Sequence, residues 1–380
     1  MPAALDAMSA FRGGEVFFPL VAAVLGAVVG SFLNASIHRL PRGLGLLNPR
    51  RSFCPGCGRT IPWWENLPIV SWVFLRGRCS GCGWRIPARY FMVEVLTAAV
   101  FVLAWWGFGW PDVLVWWVFS ALLIAATFID FEHMIIPDEI TLGGMAAGVL
   151  ATLFVPSILG FDVWWMAGLH SLGGALAGFT VLFLVVEGGK VVFGKKRHCF
   201  ANPEPFEWRQ EGDEVWVSLA GERFDWGEVF SRARDQLRIS VDGAAMIDGR
   251  ELEGAEFVFT HDRLMVDGED IPLSGVGRLE GLMRSVVIPR EAMGFGDVKF
   301  LACIGAFVGW QGVLFTVFAG SLIGSLAGLV GICLRRDGSG ARLPFGPFLA
   351  LGGLVWVFAG HALLDWYFGL LSRGFGRLDF

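Results

Sequence analysis

The stretch Phe128-Ile129-Asp130-Phe131-Glu132-His133-Met134-Ile135-Ile136-Pro137-Asp138 closes an apolar run that begins at Val113. A second junction, Gly294-Phe295-Gly296-Asp297-Val298-Lys299, opens another such run. About 20 apolar residues are enough to cross the hydrocarbon core of a bilayer. A carboxylate beside hydrocarbon is costly, so it is rare unless it pairs, relays protons or does chemistry. Asp130 and Asp297 therefore read as groups placed at the mouths of membrane helices. That reading decides the fold.

Composition agrees. Hydrophobic residues make up 54% of the chain and charged residues 17%, with a mean hydropathy of +0.59, far from an ordinary soluble domain. The expected class is a polytopic α-helical membrane protein with about eight transmembrane helices, a small zinc-binding cytoplasmic segment and a β-rich cytoplasmic insertion. Residues 1–37 hold the first span and 38–89 a polar segment bearing Arg and Cys. Residues 90–189 hold spans two to five, the insertion covers 190–290, and 291–380 carry spans six to eight. Span four is expected near 140–159, and span six is expected to turn near Trp310-Gln311. The seventeen tryptophans suit interfacial belts. No nucleic-acid partner is expected; the bilayer is.

Basic residues set the orientation. Arg39, Arg42, Arg50, Arg51, Arg59, Arg76, Arg78, Arg85 and Arg89 crowd the first polar stretch. Lys190, Lys195, Lys196 and Arg197 open the insertion, and Arg335, Arg336 and Arg342 precede the last span. The alternate loops near Asp112, Asp162 and Gln311 carry no Lys or Arg. Positive loops stay cytoplasmic, so the N-terminus points outward and both aspartates open to the cytoplasm. Arg373 and Arg377 run mildly against the rule. The N-terminal segment, poor in charge and long in its apolar run, reads as a span rather than a cleaved signal.

Four of the seven cysteines form Cys54-Pro55-Gly56-Cys57 and Cys79-Ser80-Gly81-Cys82. Gly-bearing knuckles let two thiolates converge on one ion, and four complete a closed tetrahedral zinc site. So small a segment holds a core with difficulty, and metal would supply much of its folding energy. A cytoplasmic placement argues against disulfides. Cys199, Cys303 and Cys333 show no such pattern.

The insertion has a different character. Glu214-Val215-Trp216-Val217-Ser218-Leu219 and Leu237-Arg238-Ile239-Ser240-Val241 alternate polar and apolar, as strands do. Asp242-Gly243, Asp248-Gly249 and Asp267-Gly268 are hairpin-turn signals. An acidic β-rich module is expected, with no catalytic constellation.

A peptide bond can be hydrolysed at neutral pH by two aspartates. The ionised one takes a proton from water while its protonated partner polarises the carbonyl. Two carboxylates in a weakly solvated site do not both ionise readily, which keeps that split available. Gly294 and Gly296 would let the chain bend and approach a substrate backbone before span six. Lys299 would tune the local field or snorkel to the interface. Glu132, His133 and Asp138 read as supporting or solvated groups, and Glu94 either faces the site or caps a helix. His170 reads as a satisfied buried histidine, and His361 with Asp365 as a structural pair.

Gly30-Ser31-Phe32-Leu33-Asn34 with His38-Arg39-Leu40-Pro41, the paired Cys motifs, the Asp130 segment and Gly294-Phe295-Gly296-Asp297-Val298-Lys299 together resemble the type IV prepilin peptidase family. The likeness covers nearly the whole chain except the insertion, which shorter members lack. It implies a bacterial inner-membrane enzyme with Asp130 and Asp297 as its catalytic pair. It also implies that type IV prepilins or type II secretion pseudopilins are the substrates, cut after a glycine. The new terminal residue, usually Phe, would then be N-methylated with S-adenosylmethionine. No soluble Gly-rich signature for that donor is present, so methylation rests on the resemblance. The alternatives are another GxGD intramembrane aspartyl protease, which would lack the Cys segment, and a proton-coupled transporter, for which no inverted repeat is evident.

Overall fold

The computed structural model describes residues 14–45, 52–193, 195–211, 214–230, 236–289, 294–334 and 343–375. Arg50, Arg51, Arg290, Arg335, Arg336, Arg342 and Arg377, which carry part of the charge argument or bound a segment, lie outside them. The chain divides into two compact units, one made of residues 1–183 and 294–380 and the other of 184–293.

The first unit is helical. Helix α1 covers Gly14–Arg39, and the short α2 (Val70–Phe74) lies in the cysteine segment. Then come α3 (Ala88–Gly107), α4 (Asp112–His133), α5 (Asp138–Phe154) and α6 (Trp164–Phe193). After the insertion, α8 covers Phe295–Leu334, α9 Gly346–Val355, and a π turn at Trp356–Gly360 leads into α10 (His361–Phe375). Among the described residues, six helices are long and apolar enough to cross a membrane. The chain is a multi-pass membrane protein.

Two features bear on the expected count of eight. Helix α5, at 17 residues, ends at Phe154, and the chain finishes the expected fourth span as a 3-10 turn, Pro156–Leu159. Helix α8 is broken at Gly309, whose φ of 70° and ψ of 179° are not helical. This break lies next to Trp310-Gln311, where a turn is expected.

Small residues bring the helices together, as they must where lipid supplies no hydrophobic drive. A Cβ on Gly30 of α1 would lie 2.7 Å from the Glu94 Cα of α3. One on Gly174 of α6 would lie 2.2 Å from the Gly305 carbonyl oxygen of α8. The outward faces stay apolar: Val16, Leu20, Val24 and Val28 of α1 are all exposed, as a lipid-facing helix requires.

The second unit is a ten-stranded antiparallel sheet. Its strands are β1 (Lys195–Glu211), β2 (Glu214–Leu219), β3 (Glu222–Asp225), β4 (Leu237–Val241), β5 (Ala244–Ile247), β6 (Arg250–Glu253), β7 (Glu256–Phe259), β8 (Arg263–Val266), β9 (Glu269–Pro272) and β10 (Arg278–Pro289). A four-residue helix, α7 (Trp226–Val229), follows β3. Strands run in the order β3-β2-β1-β10-β4-β7-β8-β9, with β5 pairing β10 and β6. Phe206, Trp208, Leu237, Ile239, Phe257, Phe259 and Leu279 fill its core.

Asp248-Gly249 and Asp267-Gly268 close the β5–β6 and β8–β9 hairpins, with positive φ at both residues of each turn. Asp242-Gly243 does not close one. Only Gly243 has a positive φ there, whereas a type I′ turn needs two. Strands β4 and β5 on either side both pair with β10 rather than with each other. The Asp242 carboxylate instead accepts a hydrogen bond from Arg284 Nε at 2.6 Å.

Candidate active site

Asp130 sits in the last turn of α4. That helix stops because Met134 adopts a left-handed φ of 54° and its N–H returns to the Asp130 carbonyl. Pro137, extended at φ −61° and ψ 147°, then starts α5. Asp297 lies in the first turn of α8, its N–H bonded to the Gly294 carbonyl at 3.2 Å. Both side chains are buried, at 5% and 8% exposure. Ile136 stands beside both: a Cβ on Gly346 would lie 2.6 Å from Asp130 Oδ2 and 2.9 Å from Ile136 Cδ1, and one on Gly296, the neighbour of Asp297, would meet Ile136 at 3.5 Å. Asp130 Oδ2 accepts the Gly346 backbone N–H at 3.0 Å. Asp297 Oδ1 is buried without a hydrogen-bond partner among the described residues. A buried carboxylate oxygen left in that state is costly and is suited to meeting a substrate or a shared proton.

The supporting residues fall otherwise. Gly296 is inside α8, so no bend occurs there, and a Cβ on it would meet Ile136 at an ordinary 3.5 Å. A Cβ on Gly294 would stand 3.8 Å from Asp297 Oδ2. Neither contact demands glycine in this conformation. Gly346 does, since its Cβ would lie 2.6 Å from Asp130 Oδ2. The sequence marks Gly346 only as a helix start, through Pro347 behind it; nothing local announces its partner.

Lys299 Nζ binds both oxygens of Asp138, at 2.7 and 2.9 Å, tying the start of α5 to α8. Glu132 pairs with Arg89 and so joins the end of α4 to the start of α3. Glu94 is buried and accepts the Ile69 N–H at 2.7 Å. His170 is half-buried rather than buried, its ring 5.2 Å from that of Phe161 and against Gly309. His361 and Asp365 are both exposed, with no ion pair between them among the described residues. Cys303 is a buried residue whose Sγ lies 3.9 Å from the Ile140 carbonyl.

The cysteine segment builds two matching knuckles. Cys54 N–H bonds Arg59 O and Gly58 N–H bonds Cys54 O; Cys79 N–H bonds Trp84 O and Gly83 N–H bonds Cys79 O. Gly58 and Gly83 hold positive φ in equivalent places, 70° and 73°. The Sγ atoms of Cys54, Cys57, Cys79 and Cys82 all lie within 4.8 Å of one another. The Cys79 thiol is lowered to about 7, chiefly by the backbone N–H groups of Cys82 and Gly81. Four thiols converging on one point, one of them already inclined to ionise, fit a divalent metal.

Sequence comparison bears on this geometry. The family model described as Bacterial Peptidase A24 N-terminal domain matches residues 24–108, which include all four knuckle cysteines. That of the Type IV leader peptidase family matches residues 117–198 and 271–329, the two parts that carry Asp130 and Asp297. A Prepilin leader peptidase/N-methyltransferase of Aeromonas hydrophila is 28% identical over 93% of this chain and 94% of its own length. The protein of that name from Pseudomonas aeruginosa is 27% identical over 92% and 93%. That from Myxococcus xanthus is 37% identical over 55% and 58%. No solved structure matches the chain. These matches define a membrane aspartic peptidase. The chain belongs to the type IV prepilin peptidase family.

Proposed function

We infer that this protein cleaves the leader of type IV prepilins or type II secretion pseudopilins after a glycine and then N-methylates the new terminal residue. The observation that carries the reading is that Asp130 and Asp297, far apart in sequence, are both buried and that Ile136 packs beside the positions next to each. One carboxylate takes a proton from water as that water attacks the scissile carbonyl. The other, protonated, donates to the carbonyl oxygen; as the tetrahedral intermediate collapses, the first passes the proton it took from water to the leaving amine and the second recovers its own from the intermediate's hydroxyl. The two titrate as a unit rather than as separate groups. The Gly346 N–H fixes the Asp130 carboxylate in place, and Asp297 Oδ1, without a partner among the described residues, would face the substrate. Gly294 and Gly296 leave room beside the pair, while Lys299 and Glu132 brace the helices that bear it.

Cys54, Cys57, Cys79 and Cys82 would hold a structural zinc ion, which stabilises the segment and takes no part in peptide cleavage. S-adenosylmethionine would supply an electrophilic methyl group. The break at Gly309 supports eight crossings: α1, α3, α4, α5, α6, both arms of α8, and α9 with α10. Arg59, Arg76, Arg78 and Arg85 in the cysteine segment support a cytoplasmic face for it and for the active site in the bacterial inner membrane.

Mass spectrometry of the pilin N-terminus tests the reading. Cells with the protein should yield the mature, methylated Phe terminus, and cells without it the full leader. An unprocessed pilin in both strains would overturn it.

A further inference from the structure

The turn of α8 stops short of the level that the rest of the helical unit marks as its outer surface. At the start of α4, Asp112 accepts a hydrogen bond from the Ser157 hydroxyl at 2.7 Å, and this polar pair closes the outer end of that flank. From Asp112 to Asp130, α4 rises about 27 Å at about 1.5 Å per residue, close to the roughly 30 Å of a hydrocarbon core. Asp297 lies near the level of Asp130, since Ile136 packs beside the neighbours of both. Yet the first arm of α8, from Asp297 to the break at Gly309, rises only about 18 Å.

Two other helices give the same depth. Trp164 and Trp165 are exposed at the outer end of α6, as in an interfacial belt, and His170 lies about 9 Å inward of Trp164. His170 is the side chain that meets the break: a Cβ on Gly309 would lie 2.5 Å from its Nε2. In the last span, a Cβ on Gly312 would lie 2.7 Å from Trp356 Nε1, which sets the π turn beside the α8 turn. His361, just past the π turn, stands about 22 Å from Gly346 along the helix. Polar groups gather at this depth: Gln311 and His361 are exposed, and His170 is half-buried. The interruptions at Gly309 and at Trp356–Gly360 fall there too. Exposed polar side chains and broken backbone are costly in hydrocarbon, and that cost disappears where the polar boundary of the bilayer reaches down to them.

We propose that the protein thins the outer leaflet beside the α8 turn, so that the apolar belt on this flank is about 20 Å tall rather than about 30 Å. The partner is the lipid surface itself. Headgroups and their water settle against Gln311, His170 and His361, while α4 on the other flank meets a bilayer of ordinary thickness.

Thermal unfolding of the full-length protein in nanodiscs of dimyristoyl, dioleoyl or dierucoyl phosphatidylcholine is the test. The melting temperature should be highest in the shortest lipid and lower by about 5 °C in the longest, where the mismatch is greatest. Gln311→Leu combined with His361→Leu lengthens the apolar belt and should move the optimum to dioleoyl lipid; a water-filled recess over Gln311, with no thinning, would leave the optimum in place. Nitroxide labels give a second readout that needs no such variant. A label at Gln311 should be reached by a water-soluble nickel chelate as readily as one at Trp164. One at Leu322, exposed and deeper on the second arm of α8, should be reached by oxygen instead. Greatest stability of the wild type in dioleoyl or dierucoyl lipid, an optimum that the double substitution does not move, or a label at Gln311 shielded from the chelate would each overturn the proposal.

Discussion

The backbone N–H of Gly346 donates to Oδ2 of Asp130 at 3.0 Å, linking residues 216 positions apart. The start of α9 thus orients a carboxylate at the end of α4. Glycine is required there because a Cβ would lie 2.6 Å from the same oxygen. Gly346→Ala should push the carboxylate from its position, and misplacement by about 1 Å can cost roughly 100-fold in rate. Leader cleavage by the purified variant, at matched zinc content, checks this; a rate within a few-fold of wild type would remove Gly346 from the machinery.

Asp130→Asn and Asp297→Asn should each abolish leader cleavage while leaving the protein in the membrane. Neutralising either partner removes the acid–base division, worth about 100-fold or more. Normal cleavage by either variant at equal expression would sink the assignment.

Purified protein should carry about one zinc per chain, as a closed four-thiolate site does. Cys57→Ser or Cys82→Ser should lose it and loosen the segment from Phe53 to Ile86. Methylation should fall further than cleavage, because the aspartates stand on α4 and α8. Elemental analysis of unchelated protein showing no zinc would contradict this.

The ion pair of Lys299 with Asp138 is part-exposed, with side chains 25% and 57% accessible. Pairs of that kind contribute about 0–1 kcal/mol. Lys299→Met should lower the melting temperature slightly and slow cleavage a few-fold, while Lys299→Arg retains both. Complete inactivity of Lys299→Met would mean that the amine acts in the chemistry itself.

Strands β1 and β10 pair from Lys195 with Pro289 to Cys199 with Ser285. Replacing Asn202 to Leu282 by a flexible linker therefore leaves a paired stem at both ends of the cut. Such a protein should insert and retain basal cleavage, with altered efficiency or choice of pilin if the sheet recruits substrate. A correctly inserted deletion without cleavage would make the module part of the catalytic machinery.

Much of this protein is written locally in its sequence. Apolar runs set the spans, because crossing a bilayer is a matter of length and hydropathy within one segment. The Cys54–Cys57 and Cys79–Cys82 knuckles follow from cysteine spacing and glycines at Gly58 and Gly83. Asp248-Gly249 and Asp267-Gly268 make the hairpins that their residue types favour. Asp242-Gly243, with the same letters, does not, because β10 offers both flanking strands a better partner than each other. The remaining decisions belong to tertiary structure: Gly346 on Asp130, Lys299 on Asp138, and Glu94 on the Ile69 N–H. Each depends on how closely helices approach, which small residues such as Gly30, Gly174 and Gly305 permit. No single segment encodes such a contact. The sequence alone determined which residues could do chemistry at the membrane, and packing decided which of them meet.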